Sequence, residues 1–162
     1  MRLDLLEEHI RKLYSSGRKV AFVIATVGST DAFGVDDTAA IRKILDSLSQ
    51  EFGVTTPHLH VDAAVGWVLC FFTEYDTQTN PLQVNDSTLP VIRQAQQVAE
   101  GFQVADSVTI DFHKMGWGHY PSSAFIVNHR DNLAYLFRDK SITPYFCEAE
   151  YRRDVNILKS LV

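Results

Sequence analysis

Several features that would point to a particular class of protein are missing from this sequence. No cluster of Lys and Arg occurs, and the 162-residue chain has a formal net charge of -5 with both signs interspersed, so nucleic-acid binding is not expected. The longest apolar run, Val65–Phe72, is far shorter than the roughly 20 residues of a membrane-spanning helix. The segment Met1–Glu8 carries acidic residues where a signal peptide would be apolar, which predicts a cytoplasmic protein.

Cysteine is scarce as well. Cys70 and Cys147 lie far apart, and two thiols of a cytosolic protein are a simpler interpretation than a disulfide. No phosphate-cradling Gly-x-x-x-x-Gly-Lys-Ser/Thr motif is present, and Gly116-Trp-Gly118 alone is a weak signal. The remaining composition, 46% hydrophobic and 22% charged, is typical of one folded domain of ordinary size.

The apolar pattern predicts strands that alternate with helices. Amphipathic spacing predicts helices over residues 3–13, 41–48 and 92–99, with shorter ones at 133–137 and 155–161. Asp36 or Asp37 is expected to cap the second helix, and Ser87 or Thr88 the third. Short apolar runs predict strands at 20–27, 59–62, 107–110 and 123–127. The run 20–27 is continuous, as in strands covered on both faces. We therefore predict an α/β fold with a mostly parallel sheet flanked by helices.

Polar residues follow three of these strands, at the point where each strand ends. They are the turn Gly28-Ser-Thr30, the carboxylate Asp62 and the segment Asp111–Lys114. Because ligands of such sheets lie beyond the carboxyl ends of the strands, the three groups are expected to meet at one edge.

An amine and a carboxylate placed in this way suit pyridoxal phosphate. A lysine must be neutral to attack the cofactor's aldehyde, a state that partial burial favours, and Lys114 is the candidate. Asp62 would pair with the pyridine nitrogen, and the small Ala64 would form the floor under the ring. Polar contacts to the ring substituents or the phosphate could come from Ser29, Thr30 and His113.

Each of these residues also has an ordinary interpretation. A lysine after a strand is usually solvated, and an aspartate at a strand end is more often a turn former or a helix cap. A metal site is a rival hypothesis, because His58, His60 and Asp62 alternate along one strand and share a face. The pattern His-x-His-x-Asp-His is incomplete, however, since Ala63 follows Asp62.

Three blocks of sequence, in order, carry a resemblance to a known family. Thr26-Val-Gly-Ser-Thr30 resembles a Thr-x-Gly-Thr/Ser-Thr loop, and His60-Val-Asp-Ala-Ala64 matches a His-Val-Asp-Ala-Ala block. Ala105–Gly116, continuing to Tyr120-Pro-Ser, is similar to a lysine-bearing cofactor segment. Over about residues 18–128 the chain thus resembles the group II pyridoxal-phosphate-dependent amino-acid decarboxylases, which include the aromatic, tyrosine, histidine and glutamate enzymes. The third block is most similar to the bacterial and archaeal tyrosine decarboxylases.

The resemblance implies a fold, a reaction and a set of site residues. The fold would be part of the large domain of fold-type I (aspartate-aminotransferase-like) enzymes, and the reaction would convert an L-amino acid to its amine and carbon dioxide. Lys114 would hold the cofactor as a Schiff base, with His113 against cofactor and substrate. Asp62 would pair with the ring nitrogen, Ala64 would pack on the ring, and Thr30 would contact the cofactor near its hydroxyl. Members of the family work as homodimers.

The sequence departs from the family pattern in three ways. Phe112 stands where proline is usual, and Val65-Gly-Trp67 replaces the commoner aromatic-Gly-Gly. Members are also several hundred residues long, so we expect residues 1–162 to be a single partial cofactor-binding domain. A non-catalytic remnant that binds partners is therefore the alternative hypothesis. Transamination or aldehyde formation on the same cofactor is a third.

Overall fold

The structure is a computed structural model that describes residues 1–129. In this part of the chain, four strands form one sheet. The strands are Phe22–Thr26 (β1), His58–Asp62 (β2), Ser107–Asp111 (β3) and Ser123–Val127 (β4), in that spatial order. The first three are parallel and β4 is antiparallel to β3, so the predicted mostly parallel sheet is confirmed. Residues 112–122 contain no helix, and a parallel neighbour would need a crossover of roughly a dozen or more residues.

Three α-helices accompany the sheet, and each lies where the apolar periodicity predicted one. They are Leu3–Ser15 (α1), Thr38–Phe52 (α2) and Leu89–Glu100 (α3). Asp37, not Asp36, caps α2 by accepting a hydrogen bond from the Ala40 N–H at 2.9 Å. Thr88 occupies the N-cap position of α3, but its side chain makes no capping hydrogen bond.

Two 3-10 helices, Gly66–Phe72 and Gly101–Val104, were not predicted, because their apolar residues follow no helical period. The helices predicted at 133–137 and 155–161 lie outside the described residues, as does Cys147. No helix among residues 1–129 is long and apolar enough to cross a bilayer.

The hydrophobic core lies on one face of the sheet, under α1 and α2. Leu45 of α2 is fully buried with Leu59 and Val61 of β2. Along β1, Val23 and Ala25 point into this core, whereas Phe22 and Ile24 are 61% and 47% exposed. The expectation that this strand is covered on both faces is therefore not met within residues 1–129. The described helices cover only the face to which alternate residues of each strand point.

The strand register places the ends of β1, β2 and β3 side by side. Thr26 is opposite Asp62, and Asp62 is opposite Thr109. Beyond the strands, the Val27 N–H donates to the Asp62 carbonyl at 2.8 Å, and the Ala63 N–H donates to the Thr109 carbonyl at 3.0 Å. The loops that follow the three strands therefore start at one edge of the sheet, as the sequence predicted.

Two glycines let the loop after β1 pack directly on the turn after β2. The Gly66 N–H donates to the Val27 carbonyl at 3.0 Å. A Cβ on Gly66 would lie 2.3 Å from that carbonyl oxygen, and one on Gly28 would lie 2.7 Å from the Gly66 nitrogen. Gly28 also has a φ of +89°, in the region that favours glycine. The contact is thus one of backbone against backbone.

Gly28→Ala should therefore lower the free energy of unfolding more than replacement of a glycine that has a positive φ but no close neighbours. We expect a loss of about 2–4 kcal/mol, the sum of left-handed strain and forced displacement of packed backbone. The control is Gly53→Ala, since Gly53 has a φ of +63° but nothing within 4 Å of its Cβ position, and about 1 kcal/mol is expected there. Urea unfolding of the two variants measures the difference. Equal losses would contradict the close approach.

Candidate functional site

Asp62 and Lys114 lie where two neighbouring strands end, at the same edge of the sheet. Asp62 ends β2, and Lys114 follows β3 in a turn closed by a 2.9 Å hydrogen bond from its own N–H to the Asp111 carbonyl. The hydrogen bond to Asp111 raises the pKa of Lys114 above its usual value, and the Asp62 carboxylate adds to the increase at longer range. The predicted amine and carboxylate therefore belong to segments that leave the sheet at the same edge.

The state of the Lys114 amine differs from the expectation. Partial burial was expected to favour a neutral amine, but the side chain is 44% exposed and its Nζ lies 2.7 Å from Oδ2 of Asp111. This ion pair lowers the pKa of Asp111 while it raises the pKa of Lys114, and Ser123 lowers the pKa of Asp111 further by donating its hydroxyl. The amine is therefore charged near neutral pH.

The Asp62 carboxylate accepts one hydrogen bond from the described part of the chain. Its Oδ1 accepts a hydrogen bond from the Ala64 N–H at 3.1 Å. No other hydrogen bond to this carboxylate forms within residues 1–129, and the side chain is half-buried. Ala64 is half-buried beside it, whereas Ala63 is fully buried in the core. Asp62 therefore keeps an oxygen that can accept a proton-bearing group from a ligand.

His113 is oriented by the loop that leads to β4. Its Nδ1 contacts the backbone of Ser122, 2.9 Å from the carbonyl oxygen and 3.1 Å from the nitrogen of the N–H. Its ring meets that of Tyr120 edge to face, with centroids 4.4 Å apart. The His113 side chain is 9% exposed, whereas the side chain of the next residue, Lys114, is 44% exposed.

The predicted residues Ser29 and Thr30 lie in the neighbouring loop. The Ser29 hydroxyl accepts a hydrogen bond from the Gly34 N–H at 2.8 Å, which folds this loop on itself. Thr30 is exposed, and no hydrogen bond among the described residues joins it to Asp62 or Lys114. Thr30 thus lies in the loop that leaves the same edge of the sheet, without a hydrogen bond from the described residues to the other predicted site residues.

Two neighbours of Lys114 have contacts that the sequence did not predict. Asp111 pairs with its amine, a contact that the three-residue spacing of opposite charges could have suggested. Trp67 donates its indole N–H to the carbonyl oxygens of Asp111 and Lys114, at 3.0 and 3.1 Å. Nothing in the local sequence around Trp67 indicates a partner about 45 positions away.

The rival metal site receives no support from the structure. His58 and His60 share a face of β2, as predicted, but both hydrogen-bond to the Ser107 hydroxyl, at 2.7 and 2.8 Å. Burial lowers the pKa of His60, which favours its neutral form in this network. Among residues 1–129, no group of three or more His, Cys, Asp or Glu side chains is arranged to hold a metal ion.

Comparison with known proteins identifies several amino-acid decarboxylases and also a phenylacetaldehyde synthase of Arabidopsis thaliana, which is 27% identical over 133 residues, with 82% of this chain and 22% of the relative covered. No family model matches the chain. The sequence is 28% identical over 166 residues to an L-tyrosine decarboxylase of Enterococcus faecium, and the match covers 96% of the chain and 26% of the relative. It is 26% identical over 136 residues to an L-2,4-diaminobutyrate decarboxylase of Acinetobacter baumannii, with 84% and 21% covered. The chain therefore spans about a quarter or less of the length of these relatives.

Solved structures agree with the sequence comparison. Mouse CSAD in apo form has 27% sequence identity and a TM-score of 0.54, with 82% of this chain and 22% of that chain covered. Oryza sativa TDC with PLP and tryptamine has a TM-score of 0.60 at 20% identity, which shows the fold alone, with 89% and 26% covered. The fold is accordingly part of a fold-type I large domain. The predicted resemblance to the group II pyridoxal-phosphate-dependent amino-acid decarboxylases is confirmed, since the chain is similar, over part of their length, to proteins named as L-tyrosine and L-2,4-diaminobutyrate decarboxylases.

Proposed function

We propose that this chain carries the covalent cofactor lysine of a pyridoxal-phosphate-dependent amino-acid decarboxylase, and that Lys114 is that lysine. The observation that carries the proposal is the register of the parallel strands β2 and β3, whose ends place Asp62 and the turn with Lys114 at the same edge of the sheet. Relatives named as decarboxylases add support to the reaction class.

The groups at the sheet edge fit the cofactor. Lys114 offers a half-exposed amine for a covalent bond to the aldehyde carbon, and Asp62 offers the pyridine N–H a carboxylate oxygen that accepts no hydrogen bond from residues 1–129. The backbone contact between Gly28 and Gly66 keeps side chains out of the space between their two loops. We assign cofactor contacts to Thr30, Asp62, Ala64, His113 and Lys114.

The bound cofactor supplies an electron-accepting ring, which stabilises the charge left on the α-carbon when carbon dioxide departs. The residues of the chain prepare that step. Asp62 would keep the ring nitrogen protonated, because its carboxylate favours the charged form of a partner. Lys114 would hold the cofactor covalently through Nζ, which requires that the amine lose its proton to solvent and separate from Asp111, and that the aldehyde oxygen leave as water. His113, held at Ser122, limits the space on its side of the site.

We further propose an aromatic L-amino acid as the substrate, a cytoplasmic location and a homodimeric parent. The similarity to tyrosine decarboxylases favours the aromatic class. Carbon dioxide release from carboxyl-labelled tyrosine, diaminobutyrate and glutamate compares the substrate classes.

Capture of the cofactor tests the proposal. Purified chain incubated with pyridoxal phosphate and then reduced with borohydride should carry the label on the peptide that contains Lys114, in preference to the other lysines. Label distributed among exposed lysines would contradict the assignment. Specific capture with no product from any amino acid would instead favour the non-catalytic remnant. An aldehyde or keto-acid product in place of an amine would favour the third hypothesis.

The ion pair with Asp111 predicts how cofactor capture depends on pH. Only the neutral amine attacks the aldehyde, and Asp111 raises the pKa of Lys114, so the rate of capture should increase with pH over the alkaline range. Asp111→Asn removes the charge that stabilises the ammonium, and the rate profile should shift to lower pH. Absorbance measured across a pH series gives both profiles. Asp86→Asn, in an exposed loop, is the control; identical profiles for the two variants would refute the role of Asp111.

A further inference from the structure

We propose that Trp67 is a positioning residue that holds the turn carrying Lys114, an inference that rests on the covalent role proposed for Lys114. Trp67 lies in the 3-10 helix Gly66–Phe72, after β2, whereas Lys114 follows β3. One indole N–H bridges the carbonyl oxygens of Asp111 and Lys114, at 3.0 and 3.1 Å. The indole therefore binds the backbone of both Asp111 and Lys114, the two residues whose side chains form the ion pair.

The two sequence departures from the family pattern touch each other. The rings of Trp67 and Phe112 meet edge to face, with centroids 5.5 Å apart. Where the family usually has proline at 112, ring closure would restrict the backbone beside the lysine, and where it has glycine at 67, no indole is available. We infer that packing of Trp67 on Phe112 provides here, by non-covalent contact, the backbone restraint that a proline would provide covalently.

The turn that follows Lys114 needs such a restraint. Met115 and Trp117 have φ angles of 61° and 58°, in the left-handed region that costs a residue with a side chain about 1–2 kcal/mol. Such conformations persist where the surroundings over-determine them. The Trp67 ring occupies the space beside Gly116, where a Cβ would lie 2.6 Å from it. The Gly118 N–H closes the turn on the Phe112 carbonyl at 3.1 Å.

Trp67 acts on the amine only through this backbone. Its indole binds the carbonyl groups of Asp111 and Lys114, and their side chains in turn form the 2.7 Å ion pair. Removal of the indole N–H should loosen the turn and, with it, the ion pair. The position of the amine and its pKa should both change, although Trp67 touches neither.

Trp67→Phe tests the inference in the full chain, because it keeps an aromatic ring and removes the donor. We expect cofactor capture at Lys114 to slow by roughly three- to tenfold at high pH, the equivalent of one hydrogen bond. The pH profile of capture should also shift to lower pH as the restraint on the ion pair is lost. The control is Trp117→Phe, since Trp117 belongs to the same turn but is 99% exposed, and it should match the wild type.

A double-mutant cycle with Asp111→Asn separates positioning from a general structural effect. If Trp67 acts through the ion pair, Trp67→Phe should not shift the pH profile further in the Asp111→Asn background. Equal shifts in both backgrounds, or a Trp67→Phe variant that matches Trp117→Phe, would overturn the inference. Failure of the wild-type chain to label Lys114 would instead overturn the proposed function.

A measurement on the wild-type chain keeps the inference testable should Trp67→Phe fail to fold. The indole N–H of Trp67 should exchange with solvent deuterium much more slowly than that of Trp117, and its NMR signal should move when cofactor bonds to Lys114. Equal exchange of the two indoles would contradict the bridge.

Discussion

Lys114→Ala should abolish site-specific capture of pyridoxal phosphate. The covalent bond requires an amine at the sheet edge, and Lys114 lies in the turn after β3, at the edge where β2 ends with Asp62. Borohydride reduction followed by peptide mapping should find no label at position 114 and no preferred new site. Lys43→Ala, which removes an exposed lysine of α2, should label at position 114 as the wild type does.

A second substitution distinguishes the chemistry of the amine from its charge. Lys114→Arg retains a cation beside Asp111, but a guanidinium stays protonated and does not form the bond. The arginine variant should therefore fold like the wild type and fail to capture the cofactor. Specific labelling of either the Ala or the Arg variant, elsewhere in the chain, would move the covalent site away from Lys114.

Asp62→Asn should weaken the non-covalent binding of the cofactor by roughly 30-fold or more, because loss of one partner of a buried charge pair costs about 2 kcal/mol or more. The amide keeps the shape of the side chain and can still accept the Ala64 N–H hydrogen bond. The dissociation constant, from titration of the unreduced chain, reports the loss. Label should still reach Lys114 at saturating cofactor, since the amine is unchanged.

Asp86→Asn is the control for the loss of one negative charge, and the Lys114 variants are the control for covalent capture. An Asp62→Asn chain that binds the cofactor as tightly as the Asp86→Asn chain would remove Asp62 from the site. Loss of both binding and thermal stability would assign Asp62 a structural role.

The sequence predicted most of the fold because periodic burial leaves a local signature. The helices α1, α2 and α3 and the strands β1 to β4 all lie within a few residues of their predicted ranges. It did not predict the 3-10 helix Gly66–Phe72, in which apolar residues follow one another without a period. It also predicted two covered faces for β1, whereas alternate residues of this strand are exposed in the described structure. A continuous apolar run identifies the strand but does not show what packs against it.

Local motifs identified the candidate site residues, but they did not predict the charge state of the Lys114 amine. Asp62, His113 and Lys114 were selected because each follows a strand, and parallel strands place their carboxyl ends together by simple geometry. The ion pair between Lys114 and Asp111 reversed the expected state of the amine, since burial and charge act in opposite directions on its pKa. Their balance depends on distances that only the folded chain defines.

Local chemistry along the chain specified which elements form, which residues end the strands, and which family the three blocks resemble. Those properties follow from neighbours a few positions apart. Contacts between distant segments needed the folded structure, among them the bridge from Trp67 to the Lys114 turn and the backbone contact of Gly28 with Gly66. Such contacts arise where strands from different parts of the chain pair side by side, and neither periodicity nor motif spacing encodes that approach.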